Sequence, residues 1–237
     1  LDLSLLNNLN KRPSFEDDYS IIDETDDFII IHKKNGIAVQ ITDKETDDLE
    51  SMLNARFGEK IYVLNRIDQP VTGLVIFAKN KTFASAFTEM LKDRSVRKTY
   101  LAIVAGNPNK EPTELRHYIK KLHNRAMTAD EQIDDNFKEA ILEYRLVQSF
   151  DNYHILKIDL KTGRFHQIRA QLATVDLPIK GDLKYGSKRP NIDRSIGLLS
   201  YKLEFIQPFT GKKHTYISPL PKNDVLWNLL DKTLIGD

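Results

Sequence analysis

The chain has 237 residues, 41% of them hydrophobic, which is enough for one large domain or two small ones with a real core. It contains no cysteine, so disulfides, cysteine-based zinc sites and a cysteine nucleophile are excluded, and no run approaches the ~20 apolar residues of a membrane span. The net charge of +1 is unevenly spread: residues 60–125 hold 13 Lys and Arg against 5 Asp and Glu, and residues 164–222 hold 11 against 4. Two such blocks either grip a polyanion such as nucleic acid or form a solvated face with local ion pairs.

The N-terminal stretch LDLSLLNNLNKRPSF lacks the charged-then-apolar layout of a signal peptide, so the expected compartment is the cytoplasm. Runs rich in Val, Ile, Leu and aromatics, bounded by turn residues, predict strands at Phe28–Ile31, Gly73–Ala78, Lys98–Ala105, Ala140–Val147, His154–Leu160 and Leu198–Ile206. Asn80 is a natural N-cap for a helix through FASAFTEMLKD. A second helix is predicted over 164–175, stopped by Asp176-Leu177-Pro178, and a third after Pro221. Residues 125–138 read as an exposed loop, and Pro208-Phe209-Thr210-Gly211 as the hairpin turn between the last two strands. Strands dominate without a βαβ rhythm, which predicts an α+β fold around a mixed, mostly antiparallel sheet.

Within this frame VLNRIDQPVTGLVIFAKN, residues 63–80, sets Asp68 between Arg66 and Gln69-Pro70, just ahead of a buried apolar run. In the helix at 164–175, Phe165, Ile168 and Leu172 define an apolar face that Arg169 borders. Its guanidinium either snorkels to solvent or needs an anionic partner, for which Asp68 is the candidate. Tyr100 in RKTYLAIVAG is either a core aromatic or, facing a cleft, a ring on which a base could stack. LPIKGDLKYGS, with two glycines and two lysines, is a structured surface loop that either lines a cleft, touches phosphates or is simply a well-specified turn. Its glycine spacing matches neither a Walker loop nor a dinucleotide fingerprint. The six histidines show no metal-ligand spacing, no Gly-x-Ser-x-Gly elbow is present, and no second carboxylate stands out as a glycosidase partner for Asp68.

RIDQPVTGLVIFAK, KTYLAIVAG and TGRFHQIRAQLATVDLPIKGDLKYG resemble, in order and spacing, three motifs of the RluA-type RNA pseudouridine synthases. FIIIHKKNGIAVQ and LLSYKLEFIQPFTGKK resemble that family's flanking segments, so the likeness runs from about Asp27 to Pro219. It implies a sheet in two halves with a catalytic cleft between them, and an isomerase that needs no cofactor or metal. Such an enzyme detaches uracil from its ribose, turns it and rejoins it through carbon 5. Asp68 matches the family's aspartate nucleophile and Arg169 the arginine that pairs with it, compensating the charge of a carboxylate set in a pocket. Tyr100 matches the tyrosine placed against the uracil ring. Arg66, Lys98, Arg164, His166, Gln167, Lys180 and Lys184 are the expected RNA contacts around a flipped nucleotide.

The pattern departs from the family at Asn65, where His is usual, at Ile67, Val71 and Thr72, at Phe165, where Thr is typical, and at Lys34, where Pro is typical. The expected organisation is an N-terminal extension over 1–25, the catalytic domain over 26–222 and a C-terminal helix over 223–237. The expected partner is a stem-loop of ribosomal or transfer RNA, with no membrane and with the chain acting as a monomer. A binding or folding module for RNA, without catalysis, is the rival from another class. A carboxylate-based nucleosidase or glycosidase is a third reading, and it would release free base or sugar.

Overall fold

The computed structural model describes residues 18–40, 48–222 and 224–236. In chain order these residues form β1 (Tyr19–Glu24), β2 (Phe28–Lys33), α1 (Leu49–Phe57), β3 (Tyr62–Val63), β4 (Thr72–Ala78), α2 (Lys81–Lys92) and β5 (Arg97–Val104). Then come β6 (Thr113–Leu122), β7 (Arg125–Ala129), β8 (Lys138–Ser149), β9 (His154–Leu160), α3 (Gln167–Thr174), β10 (Leu198–Ile206), β11 (Lys213–Ile217) and α4 (Val225–Asn228). The strands share one sheet in the order β1-β2-β4-β10-β5-β9-β8-β6-β7, with β3 on β4 and β11 on β10. Among the described residues β4 and β10 form the one parallel pair, so the fold is α+β on a mixed, mostly antiparallel sheet, as the sequence predicts.

Because side chains alternate across a strand, the central strands bury both faces. Ile29, Ile31, Val75, Phe77, Tyr100, Ala102, Leu156 and Ile158 join Leu49 and Leu53 of α1 and Leu172 of α3 on one face. On the other, Phe28, Ile30, Leu74 and Ile76 pack against Phe83 and Phe87, four residues apart on α2. Leu101, Ile103 and Leu199 meet Trp227 and Leu230 of the C-terminal segment on this second side. Each such side chain contributes roughly 1.5–3 kcal/mol by leaving water.

α2 begins as expected, with the Asn80 side chain accepting from the Phe83 amide at 2.8 Å. α1 went unpredicted, although Asp48 caps it by accepting from Ser51 N at 2.7 Å and Gly58 ends it at φ 66°. The second predicted helix is shorter, starting at Gln167 instead of Arg164. The Gln167 side chain accepts from the Arg164 amide at 2.9 Å and from Thr162 Oγ1 at 2.8 Å, and this closes a turn in place of the first helical turn. Phe165 therefore sits in the turn before the helix. The last helix is also short, Val225–Asn228. Part of the predicted loop at 125–138 is strand: Arg125–Ala129 pairs with Leu122–Tyr118 across a tight turn at His123 and Asn124. The sheet also begins inside the segment read as an extension, because β1 pairs with β2. Residues 1–17 lie outside the described residues.

Candidate active site

One row of residues crosses the sheet from β2 to β5. Lys33 stands opposite Gly73, Gly73 opposite Ser200, and Ser200 opposite Tyr100. Gly73 takes φ +124°, and a Cβ there would fall 2.3 Å from the Ser200 carbonyl oxygen. Only glycine lets β4 approach β10 this closely. The sequence suggests that Gly73 helps to build the Asp68 turn; its observed part is strand packing.

The turn itself runs from Asp68 to Val71, closed by Val71 N donating to Asp68 O at 2.9 Å. It is tied down on several sides. Gly36 N donates to Gln69 O at 2.9 Å, Ile196 N to Pro70 O at 3.2 Å, and Gln69 Nε2 to Gly36 O at 2.8 Å. Lys33 holds it from below: its buried Nζ donates to Lys34 O and Ile37 O at 2.9 Å and to Gln69 O at 3.2 Å. Burial lowers the Lys33 pKa from 10.5 to about 7, against the opposing fields of Asp68 and Asp18. Asn65 is structural, its side-chain oxygen accepting from Ile76 N at 2.8 Å.

Asp68 lines a cleft of about 1380 Å³. Its side chain keeps 25% exposure, and Arg169 Nη1 donates to its Oδ2 at 2.8 Å. The pairing nominated from helix periodicity is therefore present in the fold. Arg169 uses two further donors on buried Asp182, Nε to Oδ2 at 2.7 Å and Nη2 to Oδ1 at 2.9 Å, and lies 5.0 Å from the Tyr185 ring centre. Burial opposes the charge on Arg169, but the bonds and fields of Asp182 and Asp68 overcome it, so its pKa is raised. Gln171 anchors α3 beneath, donating to Leu115 O and Ala140 O at 3.1 Å.

His166 takes the left-handed conformation before α3, φ 51°. Its Nε2 stands 3.6 Å from Asp68 Oδ2 and its Nδ1 2.9 Å from the Tyr185 hydroxyl. Burial pushes its pKa down to about 4, assisted by Arg169 and Lys184 and opposed by Asp68 and Asp182, so it is neutral at physiological pH. Tyr100 lines the same cleft. Burial raises its pKa to about 12; Asp68 adds to this and the hydrogen bond to Ser200 opposes it, which leaves a neutral phenol. A small recess of about 50 Å³ opens beside Asp68 between Ile67, Val71, Tyr100, Leu160, Ile168 and Leu198.

Of the expected RNA contacts, Arg66, Lys98, Arg164, His166 and Lys184 line the cleft. Gln167 is buried and borders only the small recess; its side chain holds the turn before α3 and donates to Ile141 O at 3.1 Å. Lys180 is not at the cleft: it pairs with Asp224, donates to Asn191 Oδ1 at 3.0 Å and lies over Tyr153. Phe165 lines the cleft, stacked on His166 at 3.8 Å and capped by Lys121 at 4.8 Å. Sequence reasoning passed over Lys33, Asp182, Tyr185 and Ser200. Asp182 and Tyr185 were legible only as turn residues in GDLKYG.

A family model described as RNA pseudouridylate synthase matches residues 27–174. The chain belongs to the RNA pseudouridylate synthase family. It is thereby a member of a family of isomerases. It is 29% identical to ribosomal large subunit pseudouridine synthase D of Borreliella burgdorferi, over 91% of this chain and 73% of that one. Against synthase C of Rickettsia bellii identity is 32%, over 71% of this chain and 57% of the relative, so the chain spans little more than half of that protein. An uncharacterized RNA pseudouridine synthase of Haemophilus influenzae is 31% identical, over 78% of this chain and 81% of its own length. Human RNA pseudouridylate synthase domain containing 1 shares the fold, with a TM-score of 0.72 at 22% identity over 91% of this chain and 90% of that one. Human RNA pseudouridylate synthase domain containing 4 gives 0.71 at 21% identity, over 88% and 91%. Among the described residues no helix is long and apolar enough to cross a membrane.

Proposed function

We propose that this pseudouridine synthase isomerises a uridine of ribosomal RNA, with Asp68 as its nucleophile. The relatives named for the large ribosomal subunit support the choice of RNA, and the same reading has the chain working in the cytoplasm, as a monomer on a folded stem-loop. The observation that carries the mechanism is the Asp68 carboxylate lining the cleft with Tyr100 and anchored through Oδ2 by Arg169 at 2.8 Å.

A uridine flipped from its helix enters between the basic walls, which meet its phosphates. Its ring lies against the neutral Tyr100 and the apolar recess. The carboxylate, held in place by Arg169, meets the nucleotide with no need to reorganise. The C1′–N1 bond breaks, the uracil turns, and a C1′–C5 bond forms. The proton on carbon 5 is lost, nitrogen 1 gains one, and no base or sugar is released. Arg66, Lys98, Arg164, His166 and Lys184 are the residues we assign to RNA, with Arg66 helping to fill the space that the flipped nucleotide leaves.

The test is tritium release from ribosomal RNA labelled at carbon 5 of uridine, isolated from a strain lacking the protein. Wild type is expected to release tritium and Asp68→Asn none. Equal release by both would remove Asp68 from the chemistry. Tight RNA binding by wild type with no release would favour a binding module on the same scaffold.

A further inference from the structure

We propose that the turn from Asp182 to Tyr185 is the positioning element of this site: through Asp182 it fixes Arg169, through Tyr185 it fixes His166, and together they turn the Asp68 carboxylate so that Oδ1 faces the uridine. The inference rests on the reading of Asp68 as the nucleophile.

Two arms leave this short turn and end on one atom. In the first, Asp182 takes the Nε and Nη2 donors of Arg169 as a fork, at 2.7 and 2.9 Å. A guanidinium gripped along that edge cannot rotate about its own plane, and Nη1 is left pointing at Asp68 Oδ2, 2.8 Å away. The Tyr185 ring covers the face of the same guanidinium.

In the second arm, Ala126 N donates to the Tyr185 hydroxyl oxygen at 2.6 Å. With that amide donating to the oxygen, His166 Nδ1, 2.9 Å away, is the one acceptor among the described residues for the hydroxyl hydrogen, and the proposal places the hydrogen there. A neutral imidazole whose Nδ1 accepts must carry its proton on Nε2. That nitrogen faces Asp68 Oδ2 at 3.6 Å. Among the described residues both contacts fall on Oδ2, and Oδ1 carries no hydrogen bond. A carboxylate hydrogen-bonded on one oxygen by Arg169, with the His166 ring packed beside that same oxygen, presents the other at a restricted angle. This is the arrangement a nucleophile needs and a merely structural ion pair does not. The strand pair β6–β7, which supplies Ala126, thus bears on the chemistry through Tyr185.

The experiment compares wild type, Tyr185→Phe, Asp182→Asn and Asp68→Asn on 5-tritiated ribosomal RNA in single turnover with excess enzyme. Tyr185→Phe is expected to slow tritium release about tenfold, with the enzyme concentration at half-saturation unchanged. Asp182→Asn should slow it by about a hundredfold or more, and Asp182→Glu should recover part of the loss. In parallel, nitrogen-15 spectra of the histidine side chains should show His166 as the Nε2–H tautomer in wild type and a mixture in Tyr185→Phe, a readout that needs no substrate. If Asp68→Asn is inert while Tyr185→Phe reacts at the wild-type rate with an unchanged tautomer, the positioning role is overturned and the nucleophile stands. If Asp68→Asn turns over normally, both readings fall. An Nδ1–H tautomer in wild type also overturns the proposal, whatever the kinetics.

Discussion

Replacing Lys33 by Met exchanges a buried ammonium for an uncharged side chain of similar length, and the structure fixes how the cost must vary with pH. In the folded chain burial brings the Lys33 pKa from 10.5 to about 7. Below about pH 7 the amine is charged both folded and unfolded, and the full cost of burying that charge is present. Between about 7 and 10.5 the unfolded chain still binds a proton that the folded chain has shed, so this group adds stability as pH rises, by roughly 5 kcal/mol across the window. Methionine binds no proton in either state, so the difference between the two proteins isolates Lys33. The variant strands the carbonyls of Lys34 and Ile37, each at about 1–3 kcal/mol, whereas Gln69 O keeps the Gly36 amide. Lys33→Met should therefore be clearly less stable than wild type at pH 9.5, and the gap should narrow steadily towards pH 6. Urea denaturation followed by the fluorescence of Trp227, the single tryptophan, measures it. A gap that is constant with pH would show that Lys33 is not a strained, desolvated amine, and the reasoning would fail.

Gly73→Ala should lose roughly 2–6 kcal/mol, from left-handed strain plus a Cβ driven into the β10 backbone; a shift under 1 kcal/mol in urea would contradict the close strand approach. Lys98→Ala should weaken binding to ribosomal RNA and flatten its salt dependence by about one counterion, because this half-buried amine lines the cleft with no carboxylate partner among the described residues. Lys180→Ala, at a lysine engaged with Asp224 away from the cleft, should leave that affinity within about twofold; equal losses in the two variants would show that the RNA path extends past the cleft.

The central strands and α2 were legible because local pattern and burial agree there: β9 and β10 fall at the predicted limits and Asn80 caps α2. β1, β6 and β7 carry too many charged or polar residues to announce themselves; TELRHYIKKL gains its strand from neighbours on both sides. The early start drawn for α3 failed because a side chain, Gln167, satisfies the backbone groups that another helical turn would have used. Asp68 and Arg169 could be paired from a single rule, that a cation on an apolar face needs an anion. Asp182 could not, since nothing local in GDLKYG says that its carboxylate folds back under a helix thirteen positions earlier.

The position of β10 in the sheet carries a consequence for synthesis. Asp68 precedes β4 and Tyr100 lies on β5, close in sequence, yet Leu198–Ile206 is threaded between those two strands. A chain still emerging from the ribosome therefore has both residues long before it has the spacer that sets their separation, and Arg169 arrives ahead of that spacer as well. This late-made central strand acts as a completeness check: a nascent or prematurely terminated chain that ends before residue 198 cannot assemble this cleft.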